Sequence, residues 1–175
     1  MNIPARTLAL ATAFVATVYA ANWAITTFDV IPVGFGLKAP AGVLFAGLAF
    51  GIRDQLHEAA GRRWPRWVFG SVAVGAGMSY LLGADAGIPG GVVTIAAASA
   101  AAFAVSETLD ALVYNPLRRK HWNVAVLASG TVGAVVDSAV FLGLAFGSLD
   151  YLQGQVFAKL CVVALAWGVM RRFRR

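Results

Sequence analysis

The sequence predicts an all-α, polytopic membrane protein of six transmembrane helices. Three observations carry this. Apolar residues make up 59% of the 175 residues, against roughly 45–50% in soluble domains. Charged residues make up 13%, about half the usual share. The apolar residues also fall in stretches that approach the roughly 20 residues needed to cross a bilayer, and the mean hydropathy is +0.74. A soluble domain of this length leaves too much of its surface in water to hide so many apolar side chains. An ordinary cytosolic enzyme, a disordered chain and a secreted disulfide scaffold are excluded on the same grounds.

The first span is expected over about 7–28. Val18-Tyr19-Ala20 resembles a signal-peptidase site, but the apolar stretch runs past it and a single arginine, Arg6, precedes it. The span is therefore read as uncleaved. Pro32, Gly34, Gly36 and Pro40 break the chain before a second span over about 39–60, whose last part is polar. Gly61 and Pro65 lead into a short third span, about 68–83, and a glycine-rich stretch from Gly83 to Gly91 leads into the fourth, about 91–114. Asn115 and Pro116 end that helix. The fifth span is expected over 124–146 and the sixth over 151–170, joined by a tight turn at 147–150. One transmembrane domain, 1–175, accounts for the chain.

The basic residues set the expected orientation. Arg6, Arg53, Arg62, Arg63, Arg66, Arg118, Arg119, Lys120, Arg171, Arg172, Arg174 and Arg175 lie on one side of this topology, which makes 12 of the 14. Only Lys38 is in an opposite loop, and Lys159 is inside a span. Both termini are expected in the cytoplasm. The net charge of +6 is read as topology, with no nucleic-acid role. The lone Cys161 can form no intrachain disulfide, and no metal or cofactor is expected. His57 and His121 both sit at the inner edge, which argues against a haem pair.

Charged groups inside a membrane are costly and tend to be functional. Asp54 and Glu58 are four apart near the inner end of the second span and share a face, as do Arg53 and His57. Glu107 and Asp110 lie in the inner half of the fourth span, after the small apolar run from Val93 to Val105. Asp137 is 13 residues from Val124 and Lys159 is 11 from Met170. These separations are roughly 20 and 17 Å along a helix, so adjacent antiparallel helices would bring the two to similar depth. They are either a structural ion pair or a pair with one member open to substrate or proton. Trp64, Trp67, Trp122 and Trp167 suit an interfacial belt, while Trp23 is an outer anchor or a stacking surface. Ala9, Ala13, Ala16 and Ala20 recur at a spacing of four, which permits close helix contact. No phosphate loop, zinc pattern or nucleophile–base set is present, and no enzymatic activity is expected.

Several of these segments together resemble the queuosine-precursor transporter family, also called the vitamin uptake transporter family. The resemblance rests on Ala41-Gly42-Val43-Leu44-Phe45 with Asp54, Glu58 and Gly61, and on Ser106-Glu107-Thr108-Leu109-Asp110-Ala111-Leu112-Val113-Tyr114-Asn115. Ser129 with Asp137, Ser138 and Phe141 extends it, and Lys159 stands where the last span of the family typically carries a lysine. The resemblance implies a multi-pass protein of the bacterial inner membrane that imports a 7-deazaguanine such as preQ0 or preQ1. It also implies a six-helix fold similar to the substrate-binding subunits of energy-coupling-factor importers. A 7-deazaguanine presents N1–H and an amine side by side, which one carboxylate can accept together. Glu107 or Asp137 suits that role, with Asp110 and Lys159 nearby in the same segments and Asn115 or a serine for the carbonyl oxygen. Trp23, Phe28 and Phe103 are the candidate stacking rings. Asp54, Glu58, Asp137 and Lys159 are the candidates for ion pairing or proton coupling. The expected partners are the small base and the lipid bilayer, with a homodimer as an option. The rival readings are a binding subunit that depends on an ATP-driven partner, and a membrane assembly protein without transport.

Overall fold

The computed structural model describes residues 4–83, 91–118 and 120–173. Six helices dominate it: α1 (Ala5–Phe28), α2 (Val43–Ala60), α3 (Trp64–Gly83), α4 (Gly91–Leu117), α5 (Trp122–Phe146) and α6 (Leu152–Phe173). One short 3-10 turn, Gly61–Arg63, joins α2 to α3. Three helices, Ala5–Phe28, Thr94–Leu117 and Asn123–Phe146, are long and apolar enough to cross a membrane. Leu152–Leu165 is a shorter apolar helix. Pro116 sits in the last turn of α4, which ends one residue later, as expected of a ring that lacks an N–H and crowds the preceding turn. Asp85, Pro89, Arg119 and Arg174 lie outside the described residues, as do their neighbours in those gaps.

The helices pack as a closed ring. Helix α1 touches α2 and α3, α2 touches α6, α6 touches α5, α5 touches α4, and α4 returns to α3. The spatial order is therefore α1-α2-α6-α5-α4-α3, with further contacts of α2 on α3 and α1 on α4. The distribution of polarity is inverted relative to a soluble bundle. Leu8, Leu48, Leu81, Leu112, Val124, Leu144 and Leu165 are exposed, while Arg53, Glu107, Asp110, Asp137, Gln155 and Lys159 are buried. A surface of leucine and valine around a charged interior needs an apolar solvent, because in water large apolar patches and buried charges both cost free energy.

One element departs from an all-helical chain. Residues Val30–Gly34 (β1) and Leu37–Pro40 (β2) form an antiparallel hairpin between α1 and α2, and so α2 begins at Val43. Val30, Ile31 and Val33 favour extended backbone, and the turn runs through positive φ at Gly34 (107°) and Gly36 (75°), which glycine adopts freely. The Ala41 N–H donates to the Asp29 carbonyl at 2.8 Å and closes the base. The hairpin sits on α6, where Phe35 meets Phe157 edge-on at 5.5 Å.

Gly154 makes that seat tight. A Cβ there would run into the carbonyl oxygen of Lys38. Gly154→Val should therefore push the hairpin off α6 and destabilise the protein by about 1–3 kcal/mol, the usual cost of overpacking. Gly143→Val is the matched control, because nothing lies within 4 Å of a Cβ at that position. Thermal unfolding in detergent should separate the two; equal melting temperatures would mean that the hairpin is not held there.

Candidate functional site: a central cavity and a buried charge cluster

All six helices contribute to a central cavity of about 60 Å³. A single water needs roughly 10–15 Å³ on this measure, so the space holds several. Most of its wall is apolar and aromatic, with Phe50 from α2, Phe103 from α4 and Phe141 from α5. Phe50 and Phe103 lie nearly parallel, with centroids 6.3 Å apart and planes at 17°. Polar atoms enter in two groups. On one side Asn22 Nδ2 donates to Ser79 Oγ, and Ser99 Oγ donates to Asn22 Oδ1, each at 2.9 Å. On the other side are Asp137, Gln155 and Lys159.

Lys159 organises the second group. Its Nζ donates to Asp137 Oδ2 at 2.6 Å, to Ser138 Oγ at 2.9 Å and to Gln155 Oε1 at 3.1 Å. An ammonium has three protons and no acceptor, so these bonds use it fully. Gln155 is one turn before Lys159 on α6 and must turn its acceptor oxygen to the ammonium, which reserves its amide N–H groups for other partners. The hydrogen bonds among the described residues use only Oδ2 of Asp137. The cavity therefore meets a carboxylate clamped on one oxygen beside an amide donor.

Glu107 and Asp110 occupy a different place. Arg53, 2% exposed, reaches from α2 to α4. Its Nη1 donates to Glu107 Oε1 at 3.0 Å and to Asp110 Oδ2 at 2.7 Å. Asp54 Oδ1 lies 3.2 Å from Arg53 Nε, with a side chain that is 39% exposed. Glu107 Oε2 and Asp110 Oδ1 are buried without a hydrogen-bond partner. A second, smaller cavity opens beside this cluster, lined by Arg53, Asp54, His57, Glu58, Asp110, Tyr114 and Arg118 among others. His57 lies flat on Trp64 with centroids 4.1 Å apart.

The sequence-level candidates thus divide. Asp137, Lys159 and Phe103 meet at the central cavity, and Asp54, Glu58 and Asp110 at the lower one. Glu107 joins Asp110 through Arg53 and lines neither of these two cavities. Asn115 is exposed at the end of α4. Trp23 is 46% exposed and Phe28 57%, and they meet each other edge-on at 5.5 Å, away from the cavity. The side chains of Trp122 and Trp167 lie outside the described set. Arg53, counted above with the basic loops, is instead a buried residue of α2, because two carboxylates across the ring draw it inward. Sequence reasoning also missed Asn22, Phe50 and Gln155. Signals for two of them existed: Asn22 interrupts an apolar span, and Gln155 is four residues from Lys159 on one helix face.

Comparison with known proteins agrees with a chain built around a membrane cavity. Residues 40–172 match a protein family described as "Putative vitamin uptake transporter". The chain belongs to this family. The family is one of transporters and not of enzymes. A protein of Haemophilus influenzae named "Probable queuosine precursor transporter" is 43% identical over 68 residues. That match covers 38% of this chain and 29% of the relative, so the chain aligns with less than a third of that protein. No solved structure matches. As a member of a transporter family with apolar helices, this is a multi-pass membrane protein.

Proposed function

We propose that the protein imports a queuosine precursor, a 7-deazaguanine such as preQ0 or preQ1, across the bacterial inner membrane. The observation that carries this is the pairing of Asp137 and Gln155 at an aromatic-walled cavity. A guanine-type edge offers two adjacent N–H donors and one carbonyl acceptor. Asp137 accepts from the donors in a charge-assisted contact, and the Gln155 amide donates to the carbonyl. Phe50 and Phe103 supply a flat surface for the bicyclic ring. Lys159 holds the Asp137 carboxylate in place. The name of the Haemophilus influenzae relative supports the substrate class.

The test is equilibrium binding of preQ0 to the purified protein. Asp137→Asn removes the charge and turns one acceptor into a donor facing the amine. Mismatching buried polar groups costs about 1–3 kcal/mol, more where a charge is involved, so affinity should fall tenfold or more. Glu107→Gln should leave the affinity within about twofold. The reverse pattern would move the recognition site to the Arg53 cluster.

In this reading all six helices cross the membrane and both termini face the cytoplasm. The clusters at Arg62–Arg66 and at Arg118 and Lys120 then lie on the inner side, and the hairpin on the outer side. A membrane-impermeant thiol reagent added to intact cells should label Phe35→Cys, at a position 91% exposed, and spare Arg63→Cys. Labelling of Arg63→Cys alone would invert the topology. Uptake into liposomes containing only this chain, without ATP, is expected; a requirement for an ATP-driven partner would make it a binding subunit instead.

A further inference from the structure

The central cavity leaves unused the most heavily charged place in the bundle. Arg53 supplies one positive charge, and Glu107 and Asp110, 0% and 4% exposed, both face it. Asp54 also approaches Arg53, but its side chain is 39% exposed and is solvated from the lower cavity. With both buried carboxyls ionised, the buried set would hold one negative charge too many. A buried charge without a partner is expensive enough that the group neutralises instead. The hydrogen bonds show the same surplus. A single guanidinium nitrogen serves one oxygen of each acid. The second oxygens, Glu107 Oε2 and Asp110 Oδ1, are buried without a hydrogen-bond partner, against one buried donor in the same state, Arg53 Nε, so the cluster has one acceptor too many. An ionised carboxylate can only accept, whereas a carboxylic acid carries an O–H. One proton balances the charge.

We propose that Glu107 and Asp110 hold one exchangeable proton beside Arg53, and that this proton, loaded and released through the lower cavity, is the ion coupled to movement of solute in the central cavity. Loading forms an O–H bond on one carboxyl from a hydronium ion and leaves water; release returns the proton to water. The lower cavity reaches the cluster at Asp110 and Arg53. The groups that face the pair are Arg53, Asp54, His57 and Glu58 from α2, and Tyr114 and Arg118 from α4. Helix α5 brings only Asp137, which is on Lys159. Helices α1 and α3 carry Arg6, Tyr19, Arg66 and Tyr80. The link to the solute is short. Phe50 is three residues from Arg53 and Phe103 four from Glu107, and the Arg53 guanidinium lies 5.7 Å from the Phe50 ring centroid. A change of charge at the cluster therefore acts on the wall that the solute would touch. The coupling half of this inference rests on the transport reading above; the proton itself does not.

Infrared difference spectroscopy of the purified full chain tests the proton without any solute. The wild type should show, at neutral pH, the C=O stretch of a buried protonated carboxyl that shifts in D2O. Glu107→Gln and Asp110→Asn should each abolish it, since either one removes the surplus carboxylate and leaves a balanced pair. If one variant does not fold, the other carries the same readout. No such band in the wild type, or a band that survives in both variants, overturns the proposal. Proteoliposomes loaded with the full chain then test the coupling with preQ0. An inward proton gradient should raise accumulation several-fold, and Glu107→Gln should lose that gain while retaining preQ0 binding and exchange. Accumulation indifferent to the gradient overturns the coupling. Failure of the wild type to bind preQ0 at all would sink the transport reading and leave the infrared result standing.

Discussion

Lys159→Met should be among the most destabilising single substitutions in this protein. It leaves the Asp137 carboxylate buried without its cation and strips a hydrogen bond each from Ser138 and Gln155. Removing one partner of a buried ion pair costs about 3–5 kcal/mol. Asp137→Asn should cost less, because the ammonium keeps Ser138 and Gln155. The double variant should recover part of the loss, since an asparagine and a methionine leave no buried charge. Unfolding of the purified variants in a denaturing detergent series measures the cycle. Simple additivity of the two effects would mean that the residues are not energetic partners.

Arg53→Met should be comparably severe, for the complementary reason. It removes the cation that is ion-paired with Glu107 and Asp110 and takes the partner of Asp54 as well. The expected loss is again about 3–5 kcal/mol. Arg53→Lys should rescue little, because a compact ammonium on a flexible stem does not reproduce the fixed fork that reaches three carboxylates. Glu107→Gln placed on the Arg53→Met background should restore part of the stability. Unfolding midpoints that do not move with Arg53→Met would show that the cluster is solvated and not buried.

Much of this architecture was legible before any coordinates, and the reasons are physical. A bilayer imposes length and polarity on each span, so composition and glycine–proline breaks mark the helices. Depth along a helix is arithmetic, which is why Asp137 and Lys159 could be set at one height. The hairpin at Val30–Pro40 shows in the sequence only as a break, because two short strands carry too few residues to reveal their alternation. Arg53 departs from its expected loop position for another reason. Its partners lie 54 and 57 residues away on α4, and sequence periodicity shows which residues share a face without showing which helix that face meets. The ring order α1-α2-α6-α5-α4-α3 supplies the missing information. The same gap explains Glu107, an evident intramembrane carboxylate whose neighbour proved to be an arginine rather than the central cavity. It explains Trp23 as well, whose side chain is 46% exposed and does not line the central cavity.

The central claim is that the cavity reads a guanine-type edge through Asp137 and Gln155. Thermal unfolding of the purified wild type in the presence of preQ0, preQ1, guanine or adenine tests it most directly. A ligand at about 100 times its dissociation constant stabilises the folded state by about 2.7 kcal/mol, which a melting curve resolves. The account predicts a clear upward shift with preQ0 or preQ1, a smaller one with guanine and none with adenine, which presents an acceptor where Asp137 requires a donor. Equal shifts with adenine and preQ0, or no shift with any of the four, would contradict it.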